Sequence, residues 1–123
     1  LIKSGVAYTD EDSPARTIDI MQGLNPVNGR TRRVDKLCSG QTLFCRSLSL
    51  KVREWNQKLL RKGHLELHDP GKPLSMLIQA KRLGIPKGRD ENLPYRFIHP
   101  DHVKQATKNP LNDDHRIIPF EPS

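Results

Sequence analysis

Five apolar residues recur at helical spacing in the stretch GQTLFCRSLSLKVREWNQKLLRKG. Phe44, Leu48, Val52, Trp55 and Leu59 follow one another at intervals of 4, 4, 3 and 4, the period of one face of an α-helix. Leu43 and Leu60 widen the stripe. Ser39 or Thr42 can cap the start, the basic residues of the last turn suit the helix dipole, and Gly63 suits the position just past the end. The spacing predicts one helix over 42–62, and a helix with such a stripe must bury it against a partner.

The partner the sequence offers is KPLSMLIQAKRLG. Pro73 stands at its start, with Gly84 and Pro86 beyond its end, the usual helix punctuation. Leu74, Leu77 and Ile78 would share one helical face, with Met76, Ala80 and Leu83 on the next. Asp69-Pro70-Gly71 is a strong turn signal between the two segments. The expected fold is therefore mainly α: a small helical hairpin of 42–62 against 73–83, with Trp55 near its centre, short flanking helices and long extended proline-rich arms.

Three segments follow from this reading. Residues 1–41 form an N-terminal arm with a short helix over 14–22, capped by Ser13, begun by Pro14 and closed by Gly23, then a basic loop carrying the turn signals Asn25-Pro26 and Asn28-Gly29. Residues 42–84 form the hairpin core. Residues 85–123 form a second arm, in which Tyr95, Phe97 and Ile98 make an extended anchor and a short helix runs over about 100–108. Hydrophobic residues are only 34% of the chain, mean hydropathy is −0.69, and ten prolines recur along 123 residues. Such arms bury little apolar surface to offset their ordering entropy, so the expectation is a chain ordered by an assembly rather than a free monomer.

Charge is concentrated. The net charge is +7, yet residues 30–64 alone hold ten basic side chains against two acidic ones, a local net of +8. A basic block of this kind points to a polyanion. The residues expected to contact nucleic-acid phosphates are Arg30, Arg32, Arg33, Lys36, Arg46, Lys51, Arg53, Lys58, Arg61 and Lys62. No apolar run approaches the ~18 residues of a membrane span.

Two constellations suggest localised chemistry. Cys38, Cys45, His64 and His68 are ligand types that zinc prefers. Their spacing is C-x6-C, then 18 residues, then H-x3-H, whereas structural sites usually hold paired cysteines two to four residues apart. A helix from 45 to 62 would also separate the two pairs by about 25 Å, at ~1.5 Å per residue. A shared ion would need that helix to break near Ser47–Ser49, so the expected metal is none. His99, His102 and His115, with Asp101, Asp113 and Asp114, could form a metal-dependent nuclease cluster beside a basic surface. The stronger reading is histidine beside proline in a surface loop, with Asp101 in the first turn of a short helix. No Gly-rich phosphate loop, nucleophile elbow or H-E-x-x-H pattern occurs, and no cofactor is implied. Two cysteines do not make a disulfide framework, which favours a reducing compartment.

The expected function is a non-catalytic, basic accessory subunit of a large assembly, foremost a ribonucleoprotein such as an organellar ribosome in the mitochondrial matrix. RNA and neighbouring protein subunits would be its partners. The alternatives are an accessory subunit of a protein-only organellar complex, a winged-helix DNA-binding regulator in which LLRKGHLEL leads into a wing, and a nuclease or toxin using the C-terminal histidines.

Overall fold

The computed structural model describes residues 1–61, 64–106, 111 and 114–120, and divides into two compact units, residues 1–69 and 70–123. The expected mainly-α hairpin does not form. The first unit holds short helices; the second is built on a three-stranded antiparallel sheet.

In the first unit, α1 spans Thr17–Leu24, later than the expected 14–22. Ser13 does not cap it. Its hydroxyl instead accepts from the Asp10 N–H at 2.9 Å, and its own N–H donates to the Asp10 carbonyl, closing a turn ahead of Pro14. The helix then starts after Arg16, whose φ of 64° is left-handed. A 3-10 turn over Val34–Lys36 leads to α2, Gln41–Ser47. The predicted 42–62 helix ends there. Ser49 is left-handed at φ 53°, a single turn of helix, α3, covers Val52–Trp55, and Gln57 is left-handed again at φ 61°.

The break lies just past a buried serine. Ser47 is 2% exposed, and its hydroxyl donates to the Leu37 carbonyl at 2.6 Å. That bond anchors the end of α2 to the 3-10 turn, and the chain turns left-handed two residues later, at Ser49. Beyond the break the apolar stripe loses its partner: Val52 is 81% and Leu59 75% exposed. Phe44 alone of the stripe packs on the core cluster of Met21, Leu37 and Cys38, together with Ala7 and Ile18.

The predicted 73–83 helix is a strand. β1 spans Met76–Ala80 and lies between β2, Arg96–Ile98, and β3, Arg116–Pro119. Ile78 stands opposite both Ile98 and Ile117, Gln79 opposite Phe97 and Arg116, and Leu77 opposite Ile118. A stretch as short as the five residues MLIQA has no periodicity that separates strand from helix. Non-local pairing decided it. Ile78, Ala80 and Ile98 are the buried apolar residues of this unit, and they share one face because residues directly opposite, or two apart, point the same way. The helix expected over 100–108 is a 3-10 turn at Pro100–His102 continuing into α4, Val103–Ala106; residues 107 and 108 lie outside the described residues. Among the described residues no helix is long and apolar enough to cross a membrane.

Candidate nucleic-acid interface

The basic segment begins on a hairpin turn. Val27 and Arg30 exchange backbone hydrogen bonds at 2.9 and 2.8 Å, with Asn28 and Gly29 between them at φ 48° and 71°. Two successive positive φ angles define the tight turn that Asn-Gly favours. It delivers Arg30 to the surface. Arg32 turns the other way. Its Nε donates to the Asn25 carbonyl and its Nη2 to the Pro26 carbonyl, both at 3.0 Å. Its own carbonyl accepts from Gln22 Nε2 at 2.8 Å. Arg32 thus ties the loop to the end of α1, where carbonyls lack helical partners.

Asn25 is the hub of this arrangement, and it is fully buried. Its Nδ2 donates to the carbonyl of Leu37 at 3.0 Å, to that of Leu43 at 3.3 Å, and to Ser47 Oγ at 3.0 Å. One amide therefore joins the exit of α1, the 3-10 turn and α2. Its Oδ1 is buried without a hydrogen-bond partner. Sequence reading took Asn25 as a turn residue before proline. The hub lay hidden because its partners are two backbone carbonyls and a serine 22 positions away.

The other expected contacts are distributed along this frame. Arg33 pairs with Asp35 at 2.9 Å, and Lys36 is half-buried in the 3-10 turn. Arg46, Lys51, Arg53, Lys58 and Arg61 are exposed; Lys62 lies outside the described residues. Arg46 and Lys51 come together with Leu24, Cys45, Ser49 and Leu50 around an open groove of about 550 Å³. The left-handed Ser49 makes this possible, for it lets the Leu50 N–H reach back to the Cys45 carbonyl at 2.8 Å. Cationic side chains beside an apolar strip suit a ligand with charged phosphates and flat or sugar surfaces.

The zinc candidates do not converge. The helix breaks where a shared ion would require, but Cys38 is buried in the core against Met21 and Leu37, and Cys45 is half-buried on α2. His64 and His68 are exposed, with His68 Nε2 3.6 Å from Glu66. Burial pushes the Cys38 thiol above its ordinary value, and a hydrogen bond with Ser47 offsets this in part. Among the described residues no group of three or more His, Cys, Asp or Glu could hold a metal ion.

The C-terminal histidines are likewise occupied with local structure. His99 Nδ1 accepts from the Asp101 N–H at 3.1 Å, and the His99 and His102 rings lie 4.7 Å apart. Asp114 pairs with Lys81 at 2.6 Å, and hydrogen bonding to that lysine holds its carboxyl below the ordinary carboxylate value. Asp113 lies outside the described residues.

Comparison with known proteins bears on what this surface serves. The family model described as methylpurine-DNA glycosylase matches residues 13–103. A protein of Pseudomonas aeruginosa named "Putative 3-methyladenine DNA glycosylase" is 47% identical over 112 residues, which are 90% of this chain and 47% of that protein. Proteins of the same name from Pseudomonas syringae pv. syringae and Pseudomonas fluorescens are each 44% identical over 112 residues, 90% of this chain and 50% and 48% of theirs. The chain spans about half the length of these relatives. No solved structure matches it.

These matches overturn the expected function. The family and the relatives carry the name of an enzyme class that acts on DNA, so the non-catalytic ribonucleoprotein subunit is withdrawn. The protein-only organellar complex, the winged-helix regulator and the nuclease or toxin are withdrawn with it. RNA and neighbouring subunits give way to DNA as the partner to consider. The relatives belong to bacteria and offer no mitochondrial link, so the mitochondrial matrix is withdrawn as well.

Proposed function

The chain belongs to the methylpurine-DNA glycosylase family, and from that premise we propose that it forms the DNA-gripping part of a repair enzyme that excises alkylated purines. Excision breaks the N-glycosidic bond between the purine and C1′ of the deoxyribose, and water takes the place of the base. The reacting atoms of a stacked base are out of reach, so a glycosylase extrudes the nucleotide into a pocket and pays a few kcal/mol for unstacking. Contacts to the surrounding phosphates hold the duplex in that distorted state.

The observation that carries this reading is the family match over residues 13–103, which takes in the whole +8 segment of residues 30–64. Arg30, Arg33, Lys36, Arg46, Lys51, Arg53, Lys58, Arg61 and Lys62 are the side chains proposed to lie along the phosphates. Arg32 is proposed to serve the same surface by fixing the Asn28-Gly29 turn against α1. The groove between Arg46 and Lys51 is proposed to take the sugar-phosphate backbone, with its apolar strip of Leu24 and Leu50 against the sugars.

The test is binding of the chain to a short duplex containing one alkylated purine, across a range of salt concentrations. A steep fall of affinity with salt supports the reading, since each neutralised phosphate contributes a log–log slope of about −0.9. A flat dependence, or no binding at low salt, would remove it.

A further inference from the structure

The Asn28-Gly29 turn of the first unit is also a point of chemical reactivity. An asparagine side-chain amide is open to attack by the backbone nitrogen of the next residue, and glycine, lacking Cβ, obstructs that approach least. The chain holds six asparagines, and Asn28 alone precedes a glycine. Asn25 and Asn109 precede proline, whose nitrogen has no hydrogen to lose, and Asn56, Asn92 and Asn112 precede Gln57, Leu93 and Asp113. Asn28, Gly29 and Arg30 are all exposed. Two backbone bonds between Val27 and Arg30 close the turn, and the Gly29 N–H takes part in neither. The space beside Gly29 is open, for a Cβ placed there would meet no atom within 4 Å. An exposed turn with so few packed neighbours opens at little free-energy cost.

We propose that Asn28 is a site of spontaneous deamidation, and that its conversion opens the hairpin turn and weakens its grip on DNA. The Gly29 nitrogen bonds to Asn28 Cγ, and the side-chain nitrogen departs as ammonia with the Gly29 proton, which leaves a cyclic succinimide. Water then opens the ring at one carbonyl or the other and gives aspartate or isoaspartate; no oxidant or reductant takes part. Either product places a carboxylate two residues from Arg30, beside a cleft that Asp19, Gly29 and Arg30 already line. A further negative charge thus enters the turn from which the basic segment starts. Isoaspartate also routes the backbone through the side chain and lengthens a two-residue loop, whose Val27–Arg30 bonds depend on its tight geometry. The effect on DNA rests on the functional reading above, whereas the site itself rests on the turn.

The test is incubation of the native chain at mildly alkaline pH beside the same chain unfolded in urea, followed by peptide mapping with mass spectrometry. Native Asn28 should convert within about tenfold of the unfolded rate, because so little opening is needed. Slower conversion than that means the turn protects its asparagine, and overturns the proposal. The converted chain, separated by ion exchange, should lose amide-exchange protection at Arg30, whose N–H donates to the Val27 carbonyl. Its log–log salt slope for duplex DNA should be smaller by about 0.9, one phosphate contact. Asn28→Gly keeps a Gly-Gly turn but has no amide to lose, so it should hold its own starting affinity through the same incubation. A converted chain with Arg30 still protected, or with the salt slope of fresh protein, overturns the proposal. Fresh chain that binds no DNA removes the functional reading, while conversion at Asn28 with lost Arg30 protection keeps the site; salt-dependent binding without conversion does the reverse.

Discussion

Asn25 Nδ2 and Ser47 Oγ lie 3.0 Å apart in a site where Asn25 is wholly buried and Ser47 is 2% exposed. That bond ties the exit of α1 to the last residue of α2, and the Ser47 hydroxyl passes its own proton toward the Leu37 carbonyl at 2.6 Å. The bonds to Leu37 and Ser47 are buried. The basic surface of the first unit is therefore held by a polar node rather than by a large apolar core.

Removing the node should be costly. Asn25→Ala removes a fully buried amide that donates to the Leu37 carbonyl, the Leu43 carbonyl and the Ser47 hydroxyl, and each such bond contributes about 0.5–1.5 kcal/mol. Chemical denaturation followed by circular dichroism should show the first unit destabilised by roughly 2–4 kcal/mol. A loss under about 0.5 kcal/mol, the range of a neutral surface change, would mean that water replaces the amide.

The two arginines one residue apart should behave differently. Arg32→Ala removes two hydrogen bonds to backbone carbonyls and should lower stability by about 1–2 kcal/mol. Arg33→Ala, whose partner is the surface residue Asp35, should leave stability within about 0.5 kcal/mol and instead weaken DNA binding. Thermal melts and a binding titration of both variants separate these effects.

Charge reversal on the groove should be read in salt dependence as much as in affinity. Arg46→Glu, Lys51→Glu and Arg53→Glu together should flatten the log–log salt slope by roughly 2–3, at about 0.9 per lost phosphate contact. All three residues are exposed, so the triple variant should fold. An unchanged slope would place the DNA elsewhere.

The two thiols should differ in reactivity and in their effect on stability. Cys38 is buried, which raises its thiol above the ordinary value, while Cys45 is half-buried beside the groove. Alkylation at pH 8 in the native state should modify Cys45 first. Because the folded Cys38 value is raised, its contribution is complete below the unfolded value and is lost as pH climbs through the folded one. Stability of the first unit should therefore decline above about pH 8.5, the ordinary cysteine value, and Cys38→Ala should remove that decline relative to its own neutral-pH stability.

How much of this was legible beforehand divides along the range of the interactions. Asn28-Gly29 declares its turn locally, because both residues tolerate positive φ, and the extended run at Phe97 and Ile98 is legible from β-branched and aromatic content. The 42–62 helix was not falsified by any local rule. Its stripe is well spaced, but Val52 and Leu59 find no surface among the described residues to bury against, and no local window contains that fact. Met76–Ala80 is a similar case, since its strand state depends on Arg96–Ile98 and Arg116–Pro119. The charged segment could be located, but not the glycosylase family to which the chain belongs, for the chain carries no signature of that chemistry that its spacing alone reveals.

The strand order β2-β1-β3 has a consequence for how the chain is made. The central strand is synthesised first, and its second partner begins only at Arg116, 36 residues after Ala80. At ~5–20 residues per second, Met76–Ala80 spends about 2–7 s of translation with one hydrogen-bonding flank unfilled. Nascent chains stalled between Ile98 and Arg116 should consequently be the ones that engage holdase chaperones, with release timed by the emergence of the last strand.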